Sequence, residues 1–347
     1  MLSTAAHRKR QRQKKEFLME AGWLEAQAQF LAGDASNRHY ERLKLKEGGS
    51  TVLMDAPDSA DPLHSFIQVA ELLSDRGFSA PEILAADTKK GFLLLEDLGD
   101  VTFNEALKNK APAQDLYKYL VDLLLEIHKI KGSLSEVPPL MWEDFAKELD
   151  IFCQWAAPAF LNRSLTSQEK DDYYQLWQES YTLLPSLPSV LILRDCHIDN
   201  FMWLPERKGI EKVGILDFQD ARVGSPAYDL VSLLEDARYE VMPSIQEEMK
   251  EYFITNKPSM KREDFLWHYG WMGAQRSTKI LGVFTRLAFK FGKRQYLEHT
   301  PRVWNWLDQD FQHPKLSKVK KWFDKVFPVE VRQKVSSHVS LVCDDHS

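Results

Sequence analysis

Three polar residues stand in apolar surroundings at spacings that allow chemistry. Asp195 follows the apolar run 190–193, Asn200 lies five residues further on, and Asp217 closes the run Gly214-Ile-Leu-Asp seventeen residues after that. A carboxylate, an amide oxygen and a second carboxylate, each at the mouth of a buried strand, suit phosphoryl transfer. One carboxylate can align or deprotonate a hydroxyl, while the amide and the other carboxylate can hold Mg2+ on the phosphates of ATP. A polar loop with an Asx-turn would account for Asp195 and Asn200 alone. It would not account for Asp217 in register with them.

The elements that must position these residues can be read from pattern. Residues 190–193 form an apolar strand, 194–200 a polar loop and 201–204 a second strand. The stretch 205–209 turns the chain, and 213–216 returns it to deliver Asp217. Ser225 and Pro226 fit the N-cap and first turn of a following helix that carries Leu230, Val231, Leu233 and Leu234 inward. Upstream, 28–55 reads as strands joined by tight turns, with a loop of small residues at 33–38. Its amides and the Ser36 hydroxyl are placed to meet phosphates. An amphipathic helix covers 63–76, and 91–95 is a buried strand ending in the acidic bend 96–99. After residue 99 the period becomes helical, with helices to about 130 and over 143–160 and 168–183. The tract 247–328 is helical and rich in tryptophan. The change near residue 100 marks a lobe boundary.

Composition narrows the alternatives. With 347 residues, 44% hydrophobic and 28% charged, the chain can bury a large core. A net charge of −6 argues against nucleic acid as partner. Three widely spaced cysteines make neither a disulfide framework nor a zinc site, and fit a cytoplasmic protein. No apolar run has the length of a membrane span. The basic stretch 8–15 lacks a following apolar region, so it reads as a solvated extension rather than a secretory signal.

The Asp195, Asn200, Asp217 set resembles the catalytic and metal-binding segments of the protein-kinase-like superfamily. Gly224-Ser-Pro-Ala-Tyr-Asp-Leu230 is similar to the helix start of its aminoglycoside phosphotransferase and choline kinase branch. Leu216-Asp-Phe-Gln-Asp-Ala221, Gly33-Asp-Ala-Ser36 with Arg38 and Tyr40, Val52-Leu-Met-Asp-Ala-Pro57, Phe92-Leu-Leu-Leu-Glu-Asp-Leu-Gly99, Gly273-Ala-Gln-Arg276 and Pro301-Arg-Val-Trp304 resemble the bacterial cell-wall amino-sugar kinases. Those enzymes phosphorylate the anomeric hydroxyl of N-acetylmuramate and N-acetylglucosamine. The resemblance implies an α+β, two-lobed protein-kinase-like fold. It divides the chain into a basic extension and helix (1–22), a small lobe with an antiparallel sheet (23–98), a larger, mainly helical lobe (99–330) and a tail (331–347).

Carried over by position, Asp195 is the catalytic carboxylate, and Asn200 and Asp217 are the Mg2+ ligands. Ser36, Arg38, Glu96 and Leu98 bind the nucleotide, the last two through the backbone of the hinge. His197 and Asp229 support the catalytic loop. The lactyl carboxylate of N-acetylmuramate calls for an arginine, for which Arg276 and then Arg222 are the candidates. The strand that usually supplies a phosphate-binding lysine ends in Met54-Asp55, so the cation must come from Arg38, Arg42 or Lys44. Glu71 is a candidate acidic partner on the first helix of the small lobe. The expected cofactors are ATP and Mg2+, and the expected partner is a small-molecule sugar, with oligomeric state open. Two other functions compete. One is an antibiotic phosphotransferase using an acidic cleft at Glu235, Asp236, Glu247 and Glu248; the other is a pseudokinase that binds nucleotide without turnover.

Overall fold

The computed structural model describes residues 4–33, 38–57, 60–131 and 133–333. Among them the strands, in chain order, are β1 (Gln27–Gly33), β2 (His39–Lys44), β3 (Ser50–Asp55), β4 (Ile83–Asp87), β5 (Phe92–Glu96), β6 (Val190–Ile192), β7 (Phe201–Trp203), β8 (Val213–Ile215) and β9 (Arg222–Gly224). The first helices are α1 (Thr4–Glu20), α2 (Ala60–Ser74), α3 (Phe103–Lys108) and α4 (Ala113–Ile127). Contacts divide the chain into two compact units, Met1–Leu123 with Leu193–Ala221, and Leu124–Ile192 with Arg222–Ser347. The change of period near residue 100 is therefore not where the chain divides. The hairpin β7–β8 groups with the N-terminal sheet.

The first unit is built on a five-stranded antiparallel sheet of order β1-β2-β3-β5-β4. Period-two alternation sorts its side chains into two faces. Leu43, Leu53, Phe92 and Leu94 lie on the outer face and pack under Phe17 and Leu18 of α1. The basic N-terminal segment is thus not a solvated extension. It is rich in good helix formers, and its long stems let charged ends reach partners while covering apolar surface. Arg10 lies 3.8 Å above the Phe92 ring, pairs with Asp55 and donates to the Gly91 carbonyl at 3.1 Å; Lys14 pairs with Glu41.

Phe78–Ala80 joins the hairpin to this sheet. Ser79 forms a parallel bridge with Gly214, its carbonyl accepts from the Ile215 amide at 2.9 Å, and its hydroxyl donates to the Glu211 carbonyl at 2.7 Å. Arg207, in the hairpin turn, donates to the Ser79 hydroxyl at 2.8 Å and pairs with Glu96 at 2.5 Å. On the other side, Phe103 of α3 meets Trp203 edge-on at 5.3 Å.

The second unit is helical around the 29-residue helix Arg262–Lys290. Gly282 is required there, because a Cβ would stand 2.6 Å from the backbone of Ile151 and Phe152, where the neighbouring helix passes through a π-turn. Trp267, Trp271, Trp304 and Trp306 are all buried, so they are core rather than an exposed stacking face. Strand β6 pairs with β9, a three-residue strand that the sequence pattern did not reveal. The following helix begins at Tyr228, later than the Ser-Pro signal indicated. The Ser225 hydroxyl still accepts from the Ala227 amide at 3.3 Å, just ahead of that start, and also lies 3.0 Å from His268 Nδ1.

Candidate nucleotide and catalytic site

The β7–β8 hairpin places the metal-binding candidates side by side. Phe201 pairs with Ile215, and the Leu216 amide donates to the Asn200 carbonyl at 2.9 Å, so Asn200 and Asp217 leave the same end of the ladder. The Asn200 Nδ2 donates to the Asp195 carbonyl at 2.9 Å. This bond ties Asn200 to the Asp195 backbone and leaves the Asn200 Oδ1 for a further partner. Gln219 Nε2 donates to Asp217 Oδ1 at 2.7 Å, and Asn104 Nδ2 to Asp199 Oδ1 at 2.6 Å. Among the described residues, Lys110, Asn162, Arg194 and Asp217 are the non-glycine residues with positive φ, at 70° for Arg194 and 56° for Asp217. Two of these four, Arg194 beside Asp195 and Asp217 itself, are at the motif positions. Such backbone is held at a cost of about 1–3 kcal/mol each where function requires it.

Asn200 and Asp217 line a cavity of about 440 Å3. Leu31, Tyr40, Arg42, Val52 and Leu95 of the sheet's inner face cover it; Glu96, Asp97, Leu98, Gly99 and Asp100 edge it; Met202 and Leu216 lie across from the sheet. Phe66 of α2 and Phe218 close one end, stacked at 4.8 Å. An apolar slot with polar backbone at one edge and two oxygen donors at the other fits a purine nucleoside triphosphate with a hard cation on its phosphates. Such a cation takes one or two protein oxygens and the rest from phosphate and water. Asn200 and Asp217 fit that demand.

The structure brings together Asp195, Asn200, Asp217, Glu96 and Leu98 in the first unit. Arg38 is buried just before β2. Ser36 lies outside the described residues. His197 belongs to the loop, its carbonyl accepting from the Asn200 amide at 2.9 Å. Arg276, Arg222 and Asp229 belong to the second unit, where Asp229 is fully buried and Arg276 is 8% exposed. Arg276 lies near Glu235, whose carboxyl is pushed up to about 7 by burial. Asp310 is held well above the carboxylate range by burial and by Glu235. Asp236 is 2% exposed and accepts from the Arg238 amide at 2.7 Å, so Glu235 and Asp236 are not an open acidic cleft.

The Arg42 guanidinium, a candidate cation for the phosphates, is engaged with the bend at 97–100. Its Nη2 donates to Asp97 Oδ1 and to the Gly99 carbonyl, both at 2.9 Å, its Nε lies 2.7 Å from Asp97 Oδ2, and its Nη1 pairs with Asp100. Met54, where a strand lysine is usual, is buried as the sequence implied, and Glu71, the candidate acidic partner, is exposed on α2. The sequence reading missed Tyr40, Val52 and Phe66, although alternation from Arg42 and Val52 would have put Tyr40 on the cavity face.

A cavity of this make-up, lined by Asn200 and Asp217 at the end of a hairpin to which the Asp195 backbone is tied, fits a phosphotransferase. The chain belongs to the phosphotransferase enzyme family, whose model matches residues 27–263. Membership brings with it ATP use with a divalent metal. A protein of Caulobacter vibrioides named N-acetylmuramate/N-acetylglucosamine kinase is 34% identical over 93% of this chain and 98% of its own length. One of the same name from Neisseria meningitidis serogroup B is 33% identical over 80% of this chain and 84% of its own. Among solved structures, the choline kinase LicA of Streptococcus pneumoniae aligns with a TM-score of 0.58 at 14% identity, covering 85% of this chain and 99% of that one. That likeness establishes the two-lobed, protein-kinase-like fold. No helix among the described residues is long and apolar enough to cross a membrane.

Proposed function

We propose that this protein transfers the γ-phosphoryl group of Mg2+-bound ATP to the anomeric hydroxyl of N-acetylmuramate and N-acetylglucosamine, returning wall sugars to biosynthesis in the cytoplasm, where ATP is available. The observation that carries the reading is the pairing of Asn200 and Asp217 at one end of a hairpin, in the same cavity as the hinge. The names of the relatives supply the acceptor.

Asp195 aligns the acceptor hydroxyl and takes its proton late, since a loose transition state needs little early proton removal. Asn200 Oδ1 and the Asp217 carboxylate would hold Mg2+, which would supply neutralisation of the charge on the phosphates of ATP. The Glu96 carbonyl and Leu98 amide meet the base, while Arg38 and Ser36 meet phosphate. Arg276 and Arg222 remain the candidates for the acceptor's carboxylate, and His197 and Asp229 for support of the loop. The test is ADP release with each sugar and with its methyl glycoside. Both free sugars should be turned over and the glycosides should not. Equal turnover of a glycoside would remove the anomeric assignment.

A further inference from the structure

Arg42 presents a puzzle of chemistry. It projects from the inner face of the sheet into the cavity assigned to ATP, in a chain whose strand lysine is missing, yet its guanidinium is committed to the hinge. Asp97, its main partner, is also held by the Gly99 amide at 3.1 Å. The Arg42 and Asp97 side chains are only 7% and 6% exposed. Burial opposes the charge on each and is the largest single influence, but it is outweighed by the sum of the hydrogen bonds and charges around them: Asp97 and Asp100 on Arg42, and Arg42, Ser50 and the Gly99 amide on Asp97. The Arg42 pKa therefore stands above its ordinary value and the Asp97 pKa below.

The hinge is fixed at both ends by different means. Glu96 is held by Arg207 of the hairpin turn, and Asp97, Gly99 and Asp100 are held by Arg42 of β2. Leu98 lies between these anchors and lines the cavity. Gly99 has φ +87°, so the peptide after Leu98 turns through a conformation that only glycine adopts freely. Without an outside tether this segment has more than one accessible peptide orientation.

We propose that Arg42 is a positioning residue for the nucleotide, tying residues 97–100 to β2 so that the hinge peptide keeps the orientation that selects adenine over guanine. The inference rests on the ATP site proposed above. Adenine presents a donor, its amino group, beside an acceptor ring nitrogen; guanine presents a carbonyl oxygen beside a ring N–H. A hinge offering the Glu96 carbonyl and then the Leu98 amide matches adenine, and guanine fits only after a peptide rotates. A planar guanidinium with five donors can hold one carboxylate through two bonds while also reaching a carbonyl and a second carboxylate. An ammonium group satisfies these acceptors only in part.

The experiment measures steady-state kinetics with ATP and GTP, and binding of a fluorescent ATP analogue, for the wild type, Arg42→Met, Arg42→Lys and Asp100→Asn. Arg42→Met should raise KM for ATP about tenfold or more, near 1.4 kcal/mol, and reduce the ATP-over-GTP preference. It should leave kcat within about threefold and KM for the sugar unchanged. Arg42→Lys should fall between wild type and Arg42→Met. Asp100→Asn removes only the exposed tether and should raise KM for ATP about twofold to fivefold, which keeps the test alive if Arg42→Met does not fold. Unchanged KM and unchanged preference in the folded variants, or a loss confined to kcat, would overturn the proposal. If the wild type turns over neither sugar, the functional reading fails, while analogue affinity still tests Arg42.

Discussion

The two faces of the N-terminal sheet use the same device for different ends. On the outer face Arg10 reaches from α1 to Asp55 and the turn carbonyls beside it; on the inner face Arg42 reaches from β2 to Asp97, Gly99 and Asp100. Both guanidinium groups are mostly buried and each joins a carboxylate to main-chain oxygens. The partners' surroundings differ. Asp55 stands among Phe92, Gly91 and a helix, where nothing but packing is at stake. Asp97 stands at the rim of a cavity that also holds Asn200 and Asp217. The same chemistry thus sits in packed structure on one side and at the rim of the cavity on the other, and only the neighbours show which.

Mutations should separate the two. The largest effect belongs beneath the inner face. Asp217→Asn should lower turnover by about a thousandfold or more, in the range of losses at electrostatic catalytic groups, while the midpoint of chemical denaturation stays within error. Arg10→Met, on the outer face, should do the reverse. It strands Asp55 and should cost about 2–3 kcal/mol in denaturant unfolding, with kcat and KM for ATP unchanged. Equal effects of Arg10→Met on stability and on KM for ATP would show that the faces communicate.

The smallest effect is a matter of pH. The Asp97 pKa lies below its ordinary value in the folded protein, so its contribution is present above the unfolded carboxylate pKa and fades as pH falls through the lowered folded value. Asp97→Asn should therefore be less stable than wild type at neutral pH, and the gap should close on acidification. A gap that stays constant down to the acid limb would assign the Asp97 contribution to shape rather than charge.

Much of the candidate site was legible because it is local. Asp195, Asn200 and Asp217 sit within 23 residues of one another, between apolar runs too short for anything but strands, and a turn at 205–209 forces the last two together. What sequence could not show depends on partners distant in the chain. Strand β9 has no alternation of its own and exists because Val190, Leu191 and Ile192 offer it a ladder. The basic run at 8–15 looks solvated until its stems are laid over Phe92. Alternation places Arg42 on the inner face, yet whether it turns to phosphate or to the hinge is decided by Asp97 and Asp100, more than fifty residues later. Ser225 gives a clear N-cap signal and does accept from the Ala227 amide, but its second partner, a histidine 43 residues away, is invisible in the sequence.

The bridge through Ser79 has a consequence for how the molecule comes apart. Because that residue bonds to Glu211, Ile215 and Arg207, the Asn200 and Asp217 hairpin is sewn into the cooperative unit of the small sheet, although it is translated a hundred residues later. Until residues 207–215 have been made, Ser79 has none of the Arg207, Glu211 and Ile215 partners that hold it in the folded protein.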